Sequence, residues 1–278
     1  MATPTATATT METMPDNSKS ASRGEKTAII IQARTGSTRL PRKMALPFDG
    51  DRPVLAVILG RITDAMAGIG AEIVVATTTE ENDDLIEDIA SASGMKVFRG
   101  SERDVLDRFI GAARSVGANK VIRVCADNVF LDMKSLRFLY ETFHADRRHD
   151  YMSFRKSDGT PSIKTHYGFW AEAVTLDALE KVARATDDPL YHEHVTNYIY
   201  SHPDMFGCCL HQIDPEVESH EDLRLTMDTP EDYSLQRELY AALGGDERQI
   251  EPEALIKYLD MHRELYTTMR RNIESNSK

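Results

Sequence analysis

Between residues 27 and 125 the sequence alternates short apolar, β-branched runs with amphipathic stretches of helical length, and this alternation restricts the fold more than any other feature. The runs are Ile29-Ile30-Ile31, Ile73-Val74-Val75-Ala76, Lys96-Val97-Phe98 and Val121-Ile122-Arg123-Val124-Cys125. Between the first two lies a helix that begins at Pro53 and ends near Gly68 or Gly70. The next helix carries Leu85, Ile86 and Ile89 and stops at Gly94; Thr78 and Glu81 before it have capping-box spacing. A third, capped by Ser101, starts near Asp104, gathers Val105, Leu106, Phe109, Ile110 and Ala113 on one side and closes at Gly117. Strand–helix alternation of this kind predicts an α/β fold of three layers, a mostly parallel sheet with helices on both faces. Ligands of such sheets sit beyond the carboxyl ends of the strands, the edge on which Arg34 and Asp127 both fall.

Beyond residue 143 the pattern loosens. Strands are expected at 150–153, 167–171, 206–212 and 223–227, with a polar loop at 155–165 placed to cover a site. Helices are expected at 176–185, from His192 to about Tyr200, from Pro230 to Gly244, and over 251–271. The start at Pro230 is the strongest: Thr229 is the N-cap, Pro230 takes the first helical position, and Glu231 and Asp232 face the helix dipole. No internal repeat or convincing linker divides the folded part.

The first apolar run empties into Arg34-Thr35-Gly36-Ser37-Thr38-Arg39-Leu40-Pro41-Arg42-Lys43, a concentration of positive charge in a chain whose formal net charge is -12. That balance argues against broad binding to nucleic acid or an anionic membrane, so a polyanion must be held locally. A P-loop needs a second glycine five residues after the first, followed by Lys and Ser or Thr, and Pro41-Arg42-Lys43 does not supply it. A dinucleotide fingerprint needs clustered glycines, and this loop has only Gly36. What remains is a loop that grips phosphate through Arg and Lys side chains, with a solvated charged turn as the plainer alternative.

No stretch reaches the roughly 18 apolar residues of a membrane span. Residues 1–23 are rich in Thr, Ala and Ser, lack the pattern of a secretory signal, and are expected to be disordered. Cys125, Cys208 and Cys209 cannot form a disulfide framework, and the adjacent pair lacks zinc-site spacing. They read as buried thiols in a reducing compartment, and the expected location is the cytoplasm.

The run from Gln32 to Lys43 resembles the signature loop of the cytidylyltransferases that make CMP-activated acidic sugars, nearest to the spore coat polysaccharide biosynthesis protein F branch. The resemblance continues through Val75-Ala76-Thr77, Phe98-Arg99-Gly100-Ser101, Asp104-Val105-Leu106-Asp107-Arg108-Phe109, Arg123 with Ala126-Asp127, Glu193-His194-Val195-Thr196 and Asp228-Thr229-Pro230-Glu231-Asp232. It implies a nucleotidyltransferase fold of the glycosyltransferase-A-like kind over residues 26–245, after a tail at 1–25 and before a C-terminal helical extension at 246–278. A homodimer is usual in the family and is expected here.

The same resemblance implies a Mg²⁺-dependent transfer of CMP from CTP to a small anionic acceptor, a sugar acid, sugar phosphate or phosphonate, with release of pyrophosphate. Carried over, Arg34 and Lys43 grip the triphosphate, while Ala33, Gly36 and Ser37 line the nucleotide. Thr77, Ser101 and Asp104 lie near base and ribose, and Asp127 and Asp228 hold Mg²⁺, a hard dication that needs few protein carboxylates. Glu193 and His194 face the acceptor. The family's Gly-Leu-Asp segment falls on Gly168-Phe169-Trp170, which puts Trp170 in the acceptor pocket and alters what it binds. Asn128-Val129 and Cys125 also depart from the family pattern, which has Cys-Pro and a hydroxyl residue there.

Simpler roles exist for several of these residues. Asp127 could cap the helix near Met133, and Asp228 the turn before Pro230. His192, read as a surface residue, cannot ligate a metal jointly with Glu193 and His194, because adjacent helical positions diverge. The rival functions are a glycosyltransferase that consumes a sugar nucleotide and a catalytically silent nucleotide-binding protein. The first needs no grip on a leaving pyrophosphate, so Arg34 and Lys43 count against it.

Overall fold

The computed structural model describes residues 25–245 and 250–275; residues 1–23, expected to be disordered, lie outside them. The chain runs through β1 (Thr27–Gln32), β2 (Pro47–Asp49), β3 (Arg52–Pro53), α1 (Val54–Ala65), β4 (Glu72–Thr78), α2 (Asp84–Ala92), β5 (Lys96–Gly100), α3 (Val105–Ser115), β6 (Lys120–Cys125) and α4 (Met133–Ala145). It continues through β7 (Tyr151–Arg155), β8 (Glu172–Thr175), α5 (Leu176–Ala185), α6 (Pro189–Glu193), α7 (Asn197–Ser201), β9 (Cys208–Gln212), α8 (Pro215–Glu218), α9 (Pro230–Ala242), α10 (Pro252–Met261) and α11 (Glu264–Ser275). No helix among the described residues is long and apolar enough to cross a membrane.

Seven strands form one sheet in the order β5-β4-β1-β6-β8-β7-β9. β5, β4, β1 and β6 are parallel, β8 is antiparallel to both of its neighbours, and β9 runs parallel to β7. The sheet is therefore mostly parallel, as the alternation predicts. Alternate side chains of a strand leave on opposite faces. On β1, Ile29 and Ile31 enter a core formed with α1, α2, α4, α9, α10 and α11, while Ala28 and Ile30 enter a second core under α3, α5 and α7. Burial on both faces explains why β1 reads as an unbroken apolar run.

This topology places the site. After β1 the chain builds β4 and β5 to one side, then crosses to β6 on the other, so β1 and β6 flank a switch point at their carboxyl ends. The loops after Gln32 and after Cys125 both open there. Arg61, fully buried on α1, donates to the carbonyls of Val129, Leu131 and Ile250, which fixes the second loop against the helix layer.

Several local expectations are corrected. The Thr78–Glu81 capping box does not form: Thr78 ends β4, and its hydroxyl bonds to Asp83. Residues 167–171 and 223–227 are not strands; they meet each other instead, Leu225 N–H donating to the His166 carbonyl at 2.8 Å. Gly168 makes that approach, since its φ is +72° and a Cβ there would lie 2.8 Å from the Leu225 oxygen. The helix expected from His192 is broken between α6 and α7, and the last one is divided at His262 into α10 and α11. The Thr229 start is as expected, with a capping box between Thr229 and Asp232.

Candidate active site

The loop after β1 is shaped by anchors at both ends. Ala33 N–H donates to the Ala76 carbonyl at 3.2 Å, while Leu40 and Met44 are buried in the main core. Between them, Asp83 accepts at Oδ1 from both the N–H and the hydroxyl of Thr35, each at 2.6 Å. Its Oδ2 accepts from the Thr78 hydroxyl and N–H, at 2.5 and 3.3 Å. Burial raises the Asp83 carboxyl pKa, but these hydrogen bonds outweigh it and hold the group below its ordinary value. One buried carboxylate thus ties the basic loop to the end of β4. Arg42 adopts φ +56°, the one non-glycine residue among those described to do so, and this turns the chain so that Lys43 points back into the switch point.

There Lys43 Nζ lies 2.8 Å from Asp127 Oδ2 and 2.8 Å from the Met227 carbonyl oxygen. Asp228 Oδ1 is 3.9 Å from the same ammonium and 2.9 Å from Arg39 Nη2. Asp127 stands at the end of β6 and is no helix cap, because Asp132 caps α4. Burial raises its pKa, but the charge and hydrogen bond of Lys43 dominate and hold its carboxyl below the ordinary value. Asp228 is no cap either. It is positioned by Arg224, which reaches its Oδ2 at 3.1 Å and clasps both oxygens of Asp232 at 2.8 Å. Asp232 in turn accepts from the N–H groups of Asp228 and Thr229, both at 3.0 Å.

Lys43, Arg39, Asp127 and Asp228 line a cleft of about 330 Å³ together with Ala33, Arg34, Gly36 and Ser37, and with Glu193 and His194. Arg34 Nη2 crosses to Glu193 Oε1 at 3.2 Å. Arg123, Gln32 and Cys125 form part of the lining. Arg123 is nearly buried through its ion pair with Glu172, whose other oxygen is taken by the hydroxyls of Tyr151 and Thr196. Burial pushes the Cys125 thiol up to about 11, so it is protonated at neutral pH and is not a thiolate nucleophile. A larger cavity of about 750 Å³ lies elsewhere, between residues 218–222 and the last two helices, and shares no residue with this cleft.

Four of the residues carried over by resemblance do not line the cleft. Trp170 is 9% exposed and packs among Phe154, Tyr167 and Phe169, so burial of its large apolar ring places it in the core and not in an acceptor pocket. Thr77 is fully buried on β4. Ser101 accepts from Asp104 N–H at 3.0 Å, and Asp104 caps α3 and bonds to His192 Nδ1 at 2.7 Å. His192 is therefore no surface residue but a tie between α3 and α6. Asp83, Arg224 and Asp232 also organise the site. Of these, sequence marks only Asp232, as the last residue of the family-like run from Asp228 and in the first turn of α9.

An α/β sheet with a basic loop and two carboxylates at its switch point is an arrangement suited to nucleotidyl transfer. The family model described as Cytidylyltransferase matches residues 28–268, and the chain belongs to that family. The Spore coat polysaccharide biosynthesis protein SpsF of Bacillus subtilis is 35% identical over 219 residues, covering 77% of this chain and 86% of that one. An uncharacterized protein of Methanocaldococcus jannaschii, MJ1063, is 34% identical over 250 residues, covering 89% and 93%. The solved structure of a cytidylyltransferase from Leptospira borgpetersenii aligns with a TM-score of 0.76 at 29% identity, covering 87% of this chain and 97% of that one.

Proposed function

We propose that the protein is a Mg²⁺-dependent cytidylyltransferase that transfers CMP from CTP to a small anionic acceptor and releases pyrophosphate. The observation that carries this reading is the convergence of the Asp127 and Asp228 carboxylates on a single cationic atom, Lys43 Nζ, beside the basic loop. Two hard carboxylates marking one cation position fit Mg²⁺, which takes phosphate and water for its remaining positions. When bound, the ion neutralises charge on the α-phosphate and the departing pyrophosphate.

The chain's own residues do the rest. Arg34, Arg39 and Lys43 meet the triphosphate, and the backbone at Gly36 and Ser37 permits its close approach. An acceptor oxygen attacks the α-phosphorus in line, forming the new P–O bond as the bond to pyrophosphate breaks. Glu193 and His194 face the acceptor. The name of the Bacillus subtilis relative, spore coat polysaccharide biosynthesis, supports a sugar-derived acid or phosphate, with a phosphonate as the third class. Positioning and fixed charge supply most of the rate. A homodimer belongs to the same reading and is tested by sedimentation of the full chain, and a cytoplasmic location by cell fractionation.

The test is pyrophosphate release from each NTP with Mg²⁺ and a panel of sugar acids, sugar phosphates and phosphonates. CTP-specific, acceptor-dependent release is expected, falling on the order of 100- to 1,000-fold in Asp127→Asn and in Asp228→Asn. Near-wild-type release by either folded variant would refute the metal assignment; hydrolysis of a sugar nucleotide without CTP turnover would refute the reaction.

A further inference from the structure

We propose that Lys43 is the resident counter-cation of the Asp127–Asp228 pair, and that a divalent ion enters this site only with the triphosphate that draws Lys43 away from it. The proposal rests on the metal reading above and adds the order in which the site fills.

The three hydrogens of Lys43 Nζ can only be donated. Nζ is 2.8 Å from Asp127 Oδ2, 2.8 Å from the Met227 carbonyl and 3.9 Å from Asp228 Oδ1, and the side chain is 13% exposed. Mg²⁺ takes oxygens about 2.0–2.1 Å away, so an ion held by the same two carboxylates would compete with Nζ for one small space. The two positive centres repel at that range, and partial burial limits screening by salt.

The charge balance gives the same result. Asp127 and Asp228 carry two negative charges, matched by Lys43 and Arg39, while the charge of Arg224 is matched by Asp232. The pair is thus neutralised from within, and a bare dication gains little by joining it. A triphosphate changes this balance. Its oxygens are acceptors for Lys43 and Arg39, and as these turn to phosphate the two carboxylates are left for the ion that arrives with it. Lys43 can make this exchange because its long stem carries a compact charge on rotatable bonds. Asp228 stays in place throughout, since Arg224 and Asp232 are 1% and 2% exposed and hold it from beneath.

The inference predicts effects of opposite sign from one substitution. Without nucleotide, Lys43→Met removes the competing cation and leaves the carboxylates under-neutralised, so Mn²⁺ binds about tenfold or more tightly than to wild type. The same variant binds a CTP analogue with a methylene bridge between its α- and β-phosphorus atoms about tenfold more weakly. Mn²⁺ binding is read from the free-ion electron paramagnetic resonance signal on the full chain, and folding of each variant from its circular dichroism. Lys43→Gln, which keeps a polar head, repeats the test should the methionine variant fail to fold. Lys43→Met/Asp127→Asn should lose the gained Mn²⁺ affinity. Folded Lys43 variants that bind Mn²⁺ no more tightly than wild type would overturn the proposal. That failure is separable from failure of the metal reading: if wild type with the analogue binds Mn²⁺ and Asp127→Asn does not, the reading stands and only the order of filling is wrong. Nucleotide-dependent Mn²⁺ binding retained in Asp127→Asn overturns both.

Discussion

Replacing Asp83 separates the shape of the basic loop from its charge. The carboxylate lines no part of the cleft, yet each of its oxygens accepts from one backbone N–H and one hydroxyl, of Thr35 and of Thr78. Thr35 and Thr78 are buried, so water does not readily replace a lost acceptor. Asp83→Ala orphans two backbone donors, each costing about 1–3 kcal/mol, and should destabilise the fold by about 2–6 kcal/mol. The hydroxyls can rotate to other partners and add little. Asp83→Asn keeps one carbonyl oxygen and turns an amide toward the other pair, orphaning one N–H at about 1–3 kcal/mol. Urea unfolding of wild type and both variants measures the two costs, with an unchanged slope showing that only stability has moved. Calorimetry with the methylene-bridged CTP analogue should show weaker binding in both, because Gly36 and Ser37 follow Thr35 directly. The wild-type carboxyl has a lowered pKa, so its stabilisation is present above the ordinary value of 3.8 and is lost as pH falls through the folded value. The advantage of wild type over Asp83→Asn should therefore shrink in acid. An alanine variant as stable as wild type, or an asparagine variant less stable than the alanine one, would refute this account of the loop.

Arg224→Ala leaves Asp232 buried without its guanidinium and should cost about 3–5 kcal/mol in urea unfolding; a loss under about 1 kcal/mol would contradict the positioning role given to this pair. Gly168→Ala forces a Cβ to 2.8 Å from the Leu225 carbonyl at a φ of +72° and should destabilise by about 1–3 kcal/mol, so unchanged stability would contradict the close approach. The pKa of His192 is raised, since the Thr186 carbonyl and the Asp104 carboxylate face its ring nitrogens and outweigh burial. Its contribution is full below the ordinary 6.5 and is lost as pH rises through the folded value, so His192→Ala should lower the melting temperature more at about pH 5.5 than at about pH 9. A pH-independent effect would remove the charge from that contact.

Local pattern was enough to determine the parallel half of the sheet, the basic loop at its carboxyl edge and the Thr229 helix start. Each of these depends on the order of apolar, charged and capping residues within a few positions, which is what periodicity and capping rules read. The same rules erred where contacts from elsewhere in the chain decided the local geometry. Thr78 had a local carboxylate at capping spacing, but its hydroxyl bonds to Asp83, which Thr35 holds from another loop. Residues 223–227 have strand-like composition, yet their N–H groups at Leu225 and Met227 bond to the carbonyls of His166 and Asp127, outside the sheet. Trp170 stood at a functional position in the family pattern, and three neighbouring rings buried it instead. The charged residues of the site were thus legible one by one, because charge concentrated in an acidic chain is visible in sequence. Their meeting at Lys43 was not, since Lys43, Asp127 and Asp228 are brought within 4 Å only where the chain reverses its order across the sheet.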